Sequence, residues 1–257
     1  MGFSAEWLAL REPADGAARD GGLLARAARA AGPDPVILDL GCGTGSTLRA
    51  LGPHLPDHAH WHLVDNDPTL LEIARTEAPG RSTSHGLDLR DLEALPLEGV
   101  TLVTASALLD LMPADWIAGL ARRLSHVGLP FYAALSYDGE MTWDPPLPED
   151  APVTRAFNDH QRRDKGLGPA LGPEAGSEAL AVFRNAGFAV TAAPSPWRIG
   201  PDQAALHRAL IAGIAGAAEE AGAPMAADWG IARREMAPRS HCRIGHLDLL
   251  ALPPAAT

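Results

Sequence analysis

The chain has 257 residues, a net charge of −11 at neutral pH and 46% hydrophobic residues. This length suits one large α/β domain, and the negative charge argues against a nucleic-acid partner, because phosphate binding needs clustered Lys and Arg. The two cysteines form no disulfide framework and no metal-ligand spacing, no signal peptide is recognisable, and no apolar run reaches the ~20 residues of a membrane span. We therefore expect a cytoplasmic protein, and its richness in alanine, arginine and proline indicates a bacterial genome of high GC content.

Apolar residues at helical spacing run from residue 23 to residue 31 and stop at Gly32-Pro33, which predicts a helix there. Beyond it, strands and helices alternate up to residue 135, as in a mostly parallel sheet with right-handed crossovers. The predicted strands are 36–40, 60–65, 82–86, 100–106 and 129–135, and the predicted helices are 46–51, 68–78 and 113–125.

The alternation stops between Ser136 and Gly172, where the chain contains WDPPLPEDAP and a charged run. This segment is too long for a plain connection, and loops of this size are often lids over a binding site. Downstream, the pattern predicts a helix over 173–186, a strand over 188–193, helical stretches over 201–221 and 224–236, and a last strand over 242–252.

A glycine loop joins the first strand to the helix after it, in the sequence VILDLGCGTGSTLRAL from residue 36 to residue 51. Parallel sheets bind ligands beyond the carboxyl ends of their strands, so a cofactor would lie at this loop. The dinucleotide fingerprint G-x-G-x-x-G is broken here, because Ser46 stands at the third glycine position. Asp39 would also repel a pyrophosphate but suits an ammonium group, so the loop predicts a ligand with a cationic amine, and not NAD.

The run from Asp39 to Gly45 resembles the first motif of the class I S-adenosylmethionine-dependent methyltransferases. The resemblance implies that this loop packs against the methionine part of S-adenosylmethionine, with Asp39 near its amino group. The loop residues that it implies in cofactor binding are Asp39, Gly41, Cys42, Gly43, Thr44 and Gly45.

Three further motifs of the family follow in order. In WHLVDNDP, Asp65 stands where the family holds both ribose hydroxyls, with Asn66 beside it. In HGLDLRDL, Asp88 and Leu89 stand where the family binds adenine, with Asp91 as the alternative to Asp88. The stretch VTLVTASALLDLM resembles the fourth strand and the segment that closes over the cofactor, with Ser106 at its edge.

The resemblance implies a Rossmann-like, seven-stranded, mostly parallel sheet with an antiparallel last strand and helices on both faces. We expect a single methyltransferase domain over residues 1–257, with a helical cover (1–35), a cofactor-binding core (36–135), a substrate lid (136–172) and a helical insertion (201–237) before the last strand. The insertion departs from the family, which has a tight turn between its last two strands.

The sequence lacks the motifs of nucleic-acid and protein methylation. Amino-group methylation uses [DN]-P-P-[YF] directly after the fourth strand, where this chain reads ASAL, and its DPPL sequence comes later and lacks the aromatic. Cytosine C5 chemistry needs a nucleophilic cysteine after the fourth strand, and neither Cys42 nor Cys242 lies there. These absences favour a small-molecule acceptor.

The predicted lid offers polar side chains to an acceptor. Lys165 is the one lysine of the chain, among twenty arginines, and it stands close to His160, the histidine that we favour as a base. A solvated loop histidine and a lysine on a surface turn are the alternative interpretations. We predict His160 and Lys165 as catalytic residues, and we predict that the acceptor is bound by Tyr137, Asn158, His160, Gln161 and Lys165.

Two other groups of residues have competing interpretations. As the resemblance implies, Arg19 could pair with the methionine carboxylate of the cofactor, with Arg11 in reserve, and a surface ion pair is the alternative.

His58, His60 and His62 would share one face of an extended strand, but no carboxylate or cysteine completes a tetrahedral set, so we predict no metal.

We therefore predict a methyltransferase that transfers the methyl group of S-adenosylmethionine to a small polar metabolite and yields S-adenosylhomocysteine. Two alternatives stay open. The first is non-methyl chemistry with the same cofactor, such as cyclisation or another group transfer. The second is a non-catalytic protein that binds this cofactor. The sequence predicts no nucleic-acid or membrane partner and leaves the oligomeric state open.

Overall fold

The computed structural model describes residues 3–254 of the chain. In chain order, the helices are α1 (Ala5–Ala18), α2 (Gly21–Ala30), α3 (Ser46–Leu51), α4 (Pro68–Glu77), α5 (Ala114–Val127), α6 (Asp150–Gln161), α7 (Ala175–Asn185), α8 (Ala204–Glu220) and α9 (Ala226–Met236). The strands are β1 (Val36–Leu40), β2 (His60–Asp65), β3 (Ser82–Gly86), β4 (Leu102–Ser106), β5 (Phe131–Asp144), β6 (Ala189–Pro194), β7 (Trp197–Ile199) and β8 (His241–Leu252). Within the described range, each helix is too short or too polar to cross a lipid bilayer.

Eight strands form one sheet in residues 3–254, in the order β3-β2-β1-β4-β5-β8-β6, and the short β7 pairs with β8. The first five strands run parallel to their neighbours, whereas β8 runs antiparallel to β5, β6 and β7. The strand order reverses between β1 and β4, so the loops after these two strands face one crevice. The predicted fold class is confirmed, with one strand more than predicted.

The fifth strand differs most from its prediction. The sequence pattern ends it at residue 135, but β5 continues to Asp144, because β8 supplies antiparallel backbone partners along this whole length. Leu135 has a φ of +58°, and the pairing with β8 shifts register at this point, so the strand bends there instead of ending. Tyr137 therefore lies in a strand, and not in the predicted lid.

The predicted lid also contains a helix. The proline-rich stretch after β5 leads into α6, because the Asp150 carboxylate fixes its first turn. This carboxylate accepts a hydrogen bond from the Leu147 backbone N–H at 2.8 Å, and from α9 it accepts one from Trp229 at 2.8 Å and one from Arg233 at 3.0 Å. In the predicted lid, only residues 145–149 and 162–171 remain irregular, and a bridge between residues 164 and 169 pairs the backbone of the second stretch.

Two helices precede β1, where the sequence pattern predicts one. The first, α1, begins after Ser4, whose hydroxyl accepts a hydrogen bond from the Trp7 N–H at 3.2 Å, and Pro13 lies inside it. The second, α2, begins after Asp20, whose Oδ1 accepts a hydrogen bond from the Leu23 N–H at 2.7 Å. The interior proline weakens the helical pattern of α1 in the sequence, but packing against β7 and α8 compensates for it.

The inserted helices α8 and α9 pack with α6 against the far end of β5, around a core of tryptophan and aliphatic side chains. Arg233 is fully buried in this core, where its guanidinium pairs with Asp150 and lies 5.0 Å from the centre of the Trp143 ring. The insertion is thus attached to the sheet by a buried charged pair as well as by apolar contacts.

Candidate active site

The loop after β1 is built from glycines in the left-handed region of backbone space. Gly41, Gly43 and Gly45 have φ values of +61°, +53° and +88°, which residues with a Cβ seldom adopt. A Cβ on Gly43 would lie 3.2 Å from Leu8 of α1, and a Cβ on Gly41 would lie 3.1 Å from Leu108. The glycine loop is therefore enclosed by α1 on one side and by the turn after β4 on the other.

Asp39 lies at the carboxyl end of β1 and is fully buried. Its Oδ1 accepts a hydrogen bond from the Thr104 hydroxyl at 2.7 Å, whereas its Oδ2 is buried and has no partner among the described residues. Burial raises the pKa of Asp39 to about 7, although the Thr104 hydrogen bond and the Arg19 charge oppose this rise. The carboxylate thus presents one oxygen that can accept a hydrogen bond from a ligand.

Arg19 follows the last residue of α1, and only 7% of its surface is exposed. Its Nη2 lies 3.4 Å from the Ser46 hydroxyl, while its Nε and Nη1 are buried without a partner in residues 3–254. A buried guanidinium with unpaired N–H groups is costly, so this arrangement favours the binding of an anion. The alternative of a surface ion pair is wrong for Arg19, and it is the reserve residue, Arg11, that pairs with an acidic side chain, Asp15, at 2.8 Å.

Asp65 ends β2 and faces the glycine loop. Its Oδ2 accepts a hydrogen bond from the Gly43 N–H at 2.9 Å, and its Oδ1 accepts one from the Asp67 N–H at 3.0 Å. Each oxygen keeps a further lone pair, so the carboxylate can still accept hydrogen bonds from two neighbouring hydroxyls. Asn66, beside it, is exposed.

The two residues predicted for adenine lie in the turn after β3. Asp88 is exposed, and its oxygens accept hydrogen bonds from the Arg90 backbone N–H at 2.9 Å and from Nε of the same residue at 2.8 Å. The Leu89 carbonyl accepts a hydrogen bond from the Trp116 indole at 2.6 Å, which fixes the orientation of this part of the backbone.

Three more residues of the predicted cofactor set lie around the glycine loop. The Thr44 carbonyl accepts a hydrogen bond from Arg49 at 2.6 Å, and Ser106 accepts one from the Thr47 hydroxyl at 3.1 Å. Cys42 is buried, and burial raises the pKa of its thiol, so it contributes shape and not a reactive thiolate.

On the other side of the crevice, the structure brings Tyr137 and Asn158 together. The Tyr137 hydroxyl donates to Oδ1 of Asn158 at 2.7 Å, and Nδ2 of Asn158 donates to the Gly139 carbonyl at 3.0 Å. These contacts join α6 to β5. Gln161, also predicted to bind the acceptor, ends α6 beside Gly172.

His160 and Lys165 are neighbours, as the sequence predicts. Nε2 of His160 lies 3.0 Å from Oε2 of Glu220 on α8, and its Nδ1 lies 3.5 Å from the Lys165 ammonium, which also donates to the His160 carbonyl at 3.3 Å. Partial burial lowers the pKa of Lys165, and the nearby Arg163 charge lowers it further. Both ring nitrogens of His160 thus have partners within the chain, and the catalytic roles of these two residues stay predictions.

The histidines of β2 are engaged with one another and with β3. His62 Nδ1 lies 2.8 Å from His85 Nε2, and His60 Nε2 lies 3.0 Å from the Thr83 hydroxyl, whereas His58 contacts a backbone carbonyl. Residues 3–254 contain no group of three or more His, Cys, Asp or Glu side chains that could hold a metal ion.

Comparison with known proteins agrees with this geometry. Residues 37–128 match the model of a methyltransferase domain. Residues 37–128 are therefore a methyltransferase domain, and the sheet around them has the Rossmann-like order expected of the class I S-adenosylmethionine-dependent methyltransferases. No curated protein matches the chain significantly.

Several solved structures share the fold of this methyltransferase domain. YcgJ of Bacillus subtilis is 18% identical, over 91% of this chain and 98% of that one, with a TM-score of 0.54. A cyclopropane-fatty-acyl-phospholipid synthase-like protein of Lactobacillus casei is 14% identical, over 98% and 95% of the two chains, with a TM-score of 0.55. Geranyl diphosphate methyltransferase in complex with S-adenosylmethionine is 13% identical, over 90% and 83%, with a TM-score of 0.51. At these identities the likeness shows the fold alone.

The cofactor of this methyltransferase class is S-adenosylmethionine, and the buried groups around the glycine loop fit it. Asp39 offers an unpaired carboxylate oxygen, and Arg19 offers unpaired N–H groups within electrostatic range of that carboxylate. The methionine part of the cofactor carries an ammonium and a carboxylate, and each of these charges is opposite in sign to one of the two protein groups, Asp39 and Arg19.

Sequence reasoning missed two polar residues of the methyltransferase that hold buried polar atoms, Asp110 and His246. Oδ1 of Asp110 and Nδ1 of His246 are buried, with no hydrogen-bond partner among the described residues. A signal for both exists in the sequence. Asp110 interrupts the apolar run ALLDLM, and His246 and Asp248 alternate with apolar residues in GHLDLLAL, so they share one face of β8.

Proposed function

We propose that the methyltransferase domain transfers the methyl group of S-adenosylmethionine to a small polar metabolite and releases S-adenosylhomocysteine. The observation that carries the proposal is that Asp110 and His246 hold buried polar atoms that have no hydrogen-bond partner in residues 3–254. Such atoms are costly unless a ligand hydrogen-bonds to them, so the region suits an acceptor with polar groups of its own.

The enclosure of this region supports a small acceptor. Leu8 of α1 lies against the glycine loop, and Glu12, one helical turn further on, pairs with Arg49 of α3 with an oxygen-to-nitrogen distance of 2.6 Å. On the opposite side, the contact of Tyr137 with Asn158 holds α6 over β5. The net charge of −11 disfavours nucleic acid as the acceptor.

The cofactor is assigned to the glycine loop and the strand ends around it. In this assignment Asp39 receives the ammonium of the methionine part, Arg19 receives its carboxylate, and Asp65 receives the two ribose hydroxyls. Adenine would lie at Asp88 and Leu89. The remaining members of the proposed cofactor set are Gly41, Cys42, Gly43, Thr44, Gly45, Asn66 and Ser106.

When bound, S-adenosylmethionine supplies a methyl group on a positively charged sulfur. The chain's own residues then act mainly by holding the acceptor in line with that group, because this kind of displacement depends on proximity and orientation. For this role we propose Tyr137, Asn158, Gln161 and Lys165, together with His160, whose link to Glu220 fastens the end of α6 to α8.

Two measurements test the proposal. Calorimetry should show binding of S-adenosylhomocysteine and no measurable binding of NAD. Incubation with a small-metabolite extract and S-adenosylmethionine labelled in its methyl group should give labelled metabolite together with S-adenosylhomocysteine. Formation of methylthioadenosine instead would indicate non-methyl chemistry, and cofactor binding without turnover in any extract would indicate a non-catalytic protein.

A further inference from the structure

Asp110 lies in the short turn Leu109–Leu111 that follows β4. The turn begins after Ala107, which has a left-handed φ of +48°, and Leu108 then packs against the glycine loop at Gly41. A left-handed backbone conformation is costly for a residue other than glycine, and it persists only where the surrounding structure imposes it. The chain is thus forced to turn at the cofactor crevice, and Asp110 comes directly after this contact.

One carboxylate oxygen of Asp110 is buried without a side-chain partner among the described residues. This oxygen, Oδ1, accepts no hydrogen bond from any residue in the range 3–254. The two cations that act on it are already engaged, because Arg11 is held by Asp15 at 2.8 and 3.2 Å and Lys165 donates to the His160 carbonyl at 3.3 Å. An aspartate that served only to stabilise the fold would be hydrogen-bonded or ion-paired at this depth.

Of Asp110, His246 and Tyr137, which lie near one another, Asp110 is the side chain best able to accept a proton. The ring of His246 lies 6.2 Å from that of Tyr137, which is within electrostatic range of Asp110. Burial, together with the Arg11 charge, lowers the pKa of His246 to about 3, so this imidazole is a very weak base. Burial raises the pKa of Tyr137, whose hydroxyl already donates to Asn158.

We propose that Asp110 is the catalytic base of the methyltransferase and that the acceptor is a neutral hydroxyl compound. This inference rests on the proposed function, namely methyl transfer to a small polar metabolite. A hydroxyl is favoured over an ammonium group because the Lys165 ammonium, which makes no salt bridge in residues 3–254, already places a positive charge near Asp110 and would repel a cationic acceptor.

The step balances as follows. The acceptor's O–H bond breaks, and the proton goes to the Asp110 carboxylate, which becomes a neutral carboxylic acid. The electron pair of that bond forms the new bond from oxygen to the methyl carbon, while the bond from sulfur to this carbon breaks and leaves its electron pair on sulfur. The products are an O-methyl ether and S-adenosylhomocysteine, and Asp110 later returns its proton to water.

The ionisation of Asp110 supports this role at neutral pH. Burial raises its pKa to about 6, and the charges of Arg11 on α1 and Lys165 after α6 limit the rise, as do the neighbouring backbone groups, including that of Tyr137 on β5. The carboxylate is therefore mostly ionised at pH 7 and still more basic than an ordinary aspartate.

The test compares Asp110→Asn with Asp115→Asn, an exposed aspartate five residues away that makes no ion pair in the described part of the chain. The probe is methyl-labelled S-adenosylmethionine with a small-metabolite extract. Asp110→Asn should lower turnover roughly 100-fold or more and remove the fall in turnover that the wild type shows below about pH 6. The affinity for S-adenosylhomocysteine, measured by calorimetry, should stay unchanged. Asp115→Asn should behave as wild type, and mass spectrometry should find the label in an O-methyl group.

A thermal readout checks Asp110 independently of turnover. Because its pKa is raised in the folded state, its ionisation costs stability as the pH rises through about 6. Asp110→Asn should therefore raise the Tm by about 3–6 °C at pH 8, and the gain should vanish near pH 4. A variant with a lowered Tm at pH 8 would show that Asp110 is a structural residue.

Three results would overturn the inference. They are turnover of Asp110→Asn within about twofold of wild type, label found in an N-methyl or S-methyl product, and the lowered Tm described above. Failure of the proposed function looks different, because wild-type protein itself would then form no S-adenosylhomocysteine from any extract, and the assignment of Asp110 would fall with it.

Discussion

The carboxylate of Asp248 accepts a hydrogen bond from the backbone N–H of Leu135, with 2.8 Å between Oδ1 and the nitrogen. Leu135 is the residue at which β5 bends with a positive φ. Oδ2 of Asp248 accepts two more hydrogen bonds, from the Asp20 backbone N–H at 3.0 Å and from the Tyr132 hydroxyl at 3.3 Å. One buried carboxylate on β8 thus fixes the bend of β5. It also fixes Asp20, the residue that precedes α2 and follows Arg19.

Asp248→Ala should lower the free energy of unfolding by about 3–5 kcal/mol, because it leaves two buried donors and one partly buried donor without an acceptor. Urea unfolding followed by circular dichroism measures this change. Asp57→Ala, at an exposed position, should change it by no more than ~0.5 kcal/mol. A loss below about 1 kcal/mol for Asp248→Ala would mean that the three donors find other partners.

Arg19→Met should weaken the binding of S-adenosylhomocysteine about 10- to 100-fold, because the methionine carboxylate loses its charged partner. The same change should leave stability unchanged or raise it, since a buried guanidinium with unpaired N–H groups disappears. Calorimetry and thermal unfolding measure the two effects, with Arg29→Met, on an exposed position of α2, as the control. Unchanged affinity would place the carboxylate elsewhere.

Asp65→Ala should weaken cofactor binding by about one to two orders of magnitude, because hydrogen bonds to a charged acceptor contribute about 1.5–3 kcal/mol. Part of the loss comes from the Gly43 N–H, which donates to this carboxylate and would lose its partner. Calorimetry with S-adenosylhomocysteine measures the affinity, and Asp57→Ala should leave it at the wild-type value. Affinity within threefold of wild type would remove Asp65 from the site.

Lys165→Ala should lower turnover about 10-fold and shift the acidic limb of the pH profile to higher pH. The Lys165 charge lowers the pKa of Asp110, so its removal raises that pKa and leaves less carboxylate near neutral pH. The profile is measured with labelled cofactor, and Arg155→Ala, exposed on α6, is the control. If the acidic limb of the pH profile does not move, the Lys165 charge does not affect the ionisation of Asp110.

His160→Ala and Glu220→Gln distinguish two roles of His160. If the histidine acts by fastening α6 to α8, both variants should lower turnover by a similar factor, because each breaks the same 3.0 Å contact. If it acts as a base on the acceptor, Glu220→Gln should leave turnover nearly unchanged while His160→Ala lowers it ~10-fold. In either case calorimetry should show wild-type cofactor affinity.

The glycine loop and the parallel half of the sheet could be predicted from the sequence because their causes are local. Left-handed turns require glycine, as at Gly43 and Gly45, and strands alternating with helices leave a pattern within each window of the chain. Asp65, at the end of β2, follows from the same local pattern, since the end of a parallel strand faces the crevice wherever the rest of the chain lies.

Tertiary structure alone decided the acceptor side. β5 extends beyond residue 135 because β8, more than a hundred residues later, pairs with it, and no window of the sequence contains both strands. Oδ1 of Asp110 and Nδ1 of His246 are buried only in the assembled fold, so the pKa values of these two residues, and the missing partners of these atoms among the described residues, are properties of tertiary packing. Local conformational preference determined the glycine loop, whereas long-range strand pairing and desolvation determined which side chains line the proposed acceptor region.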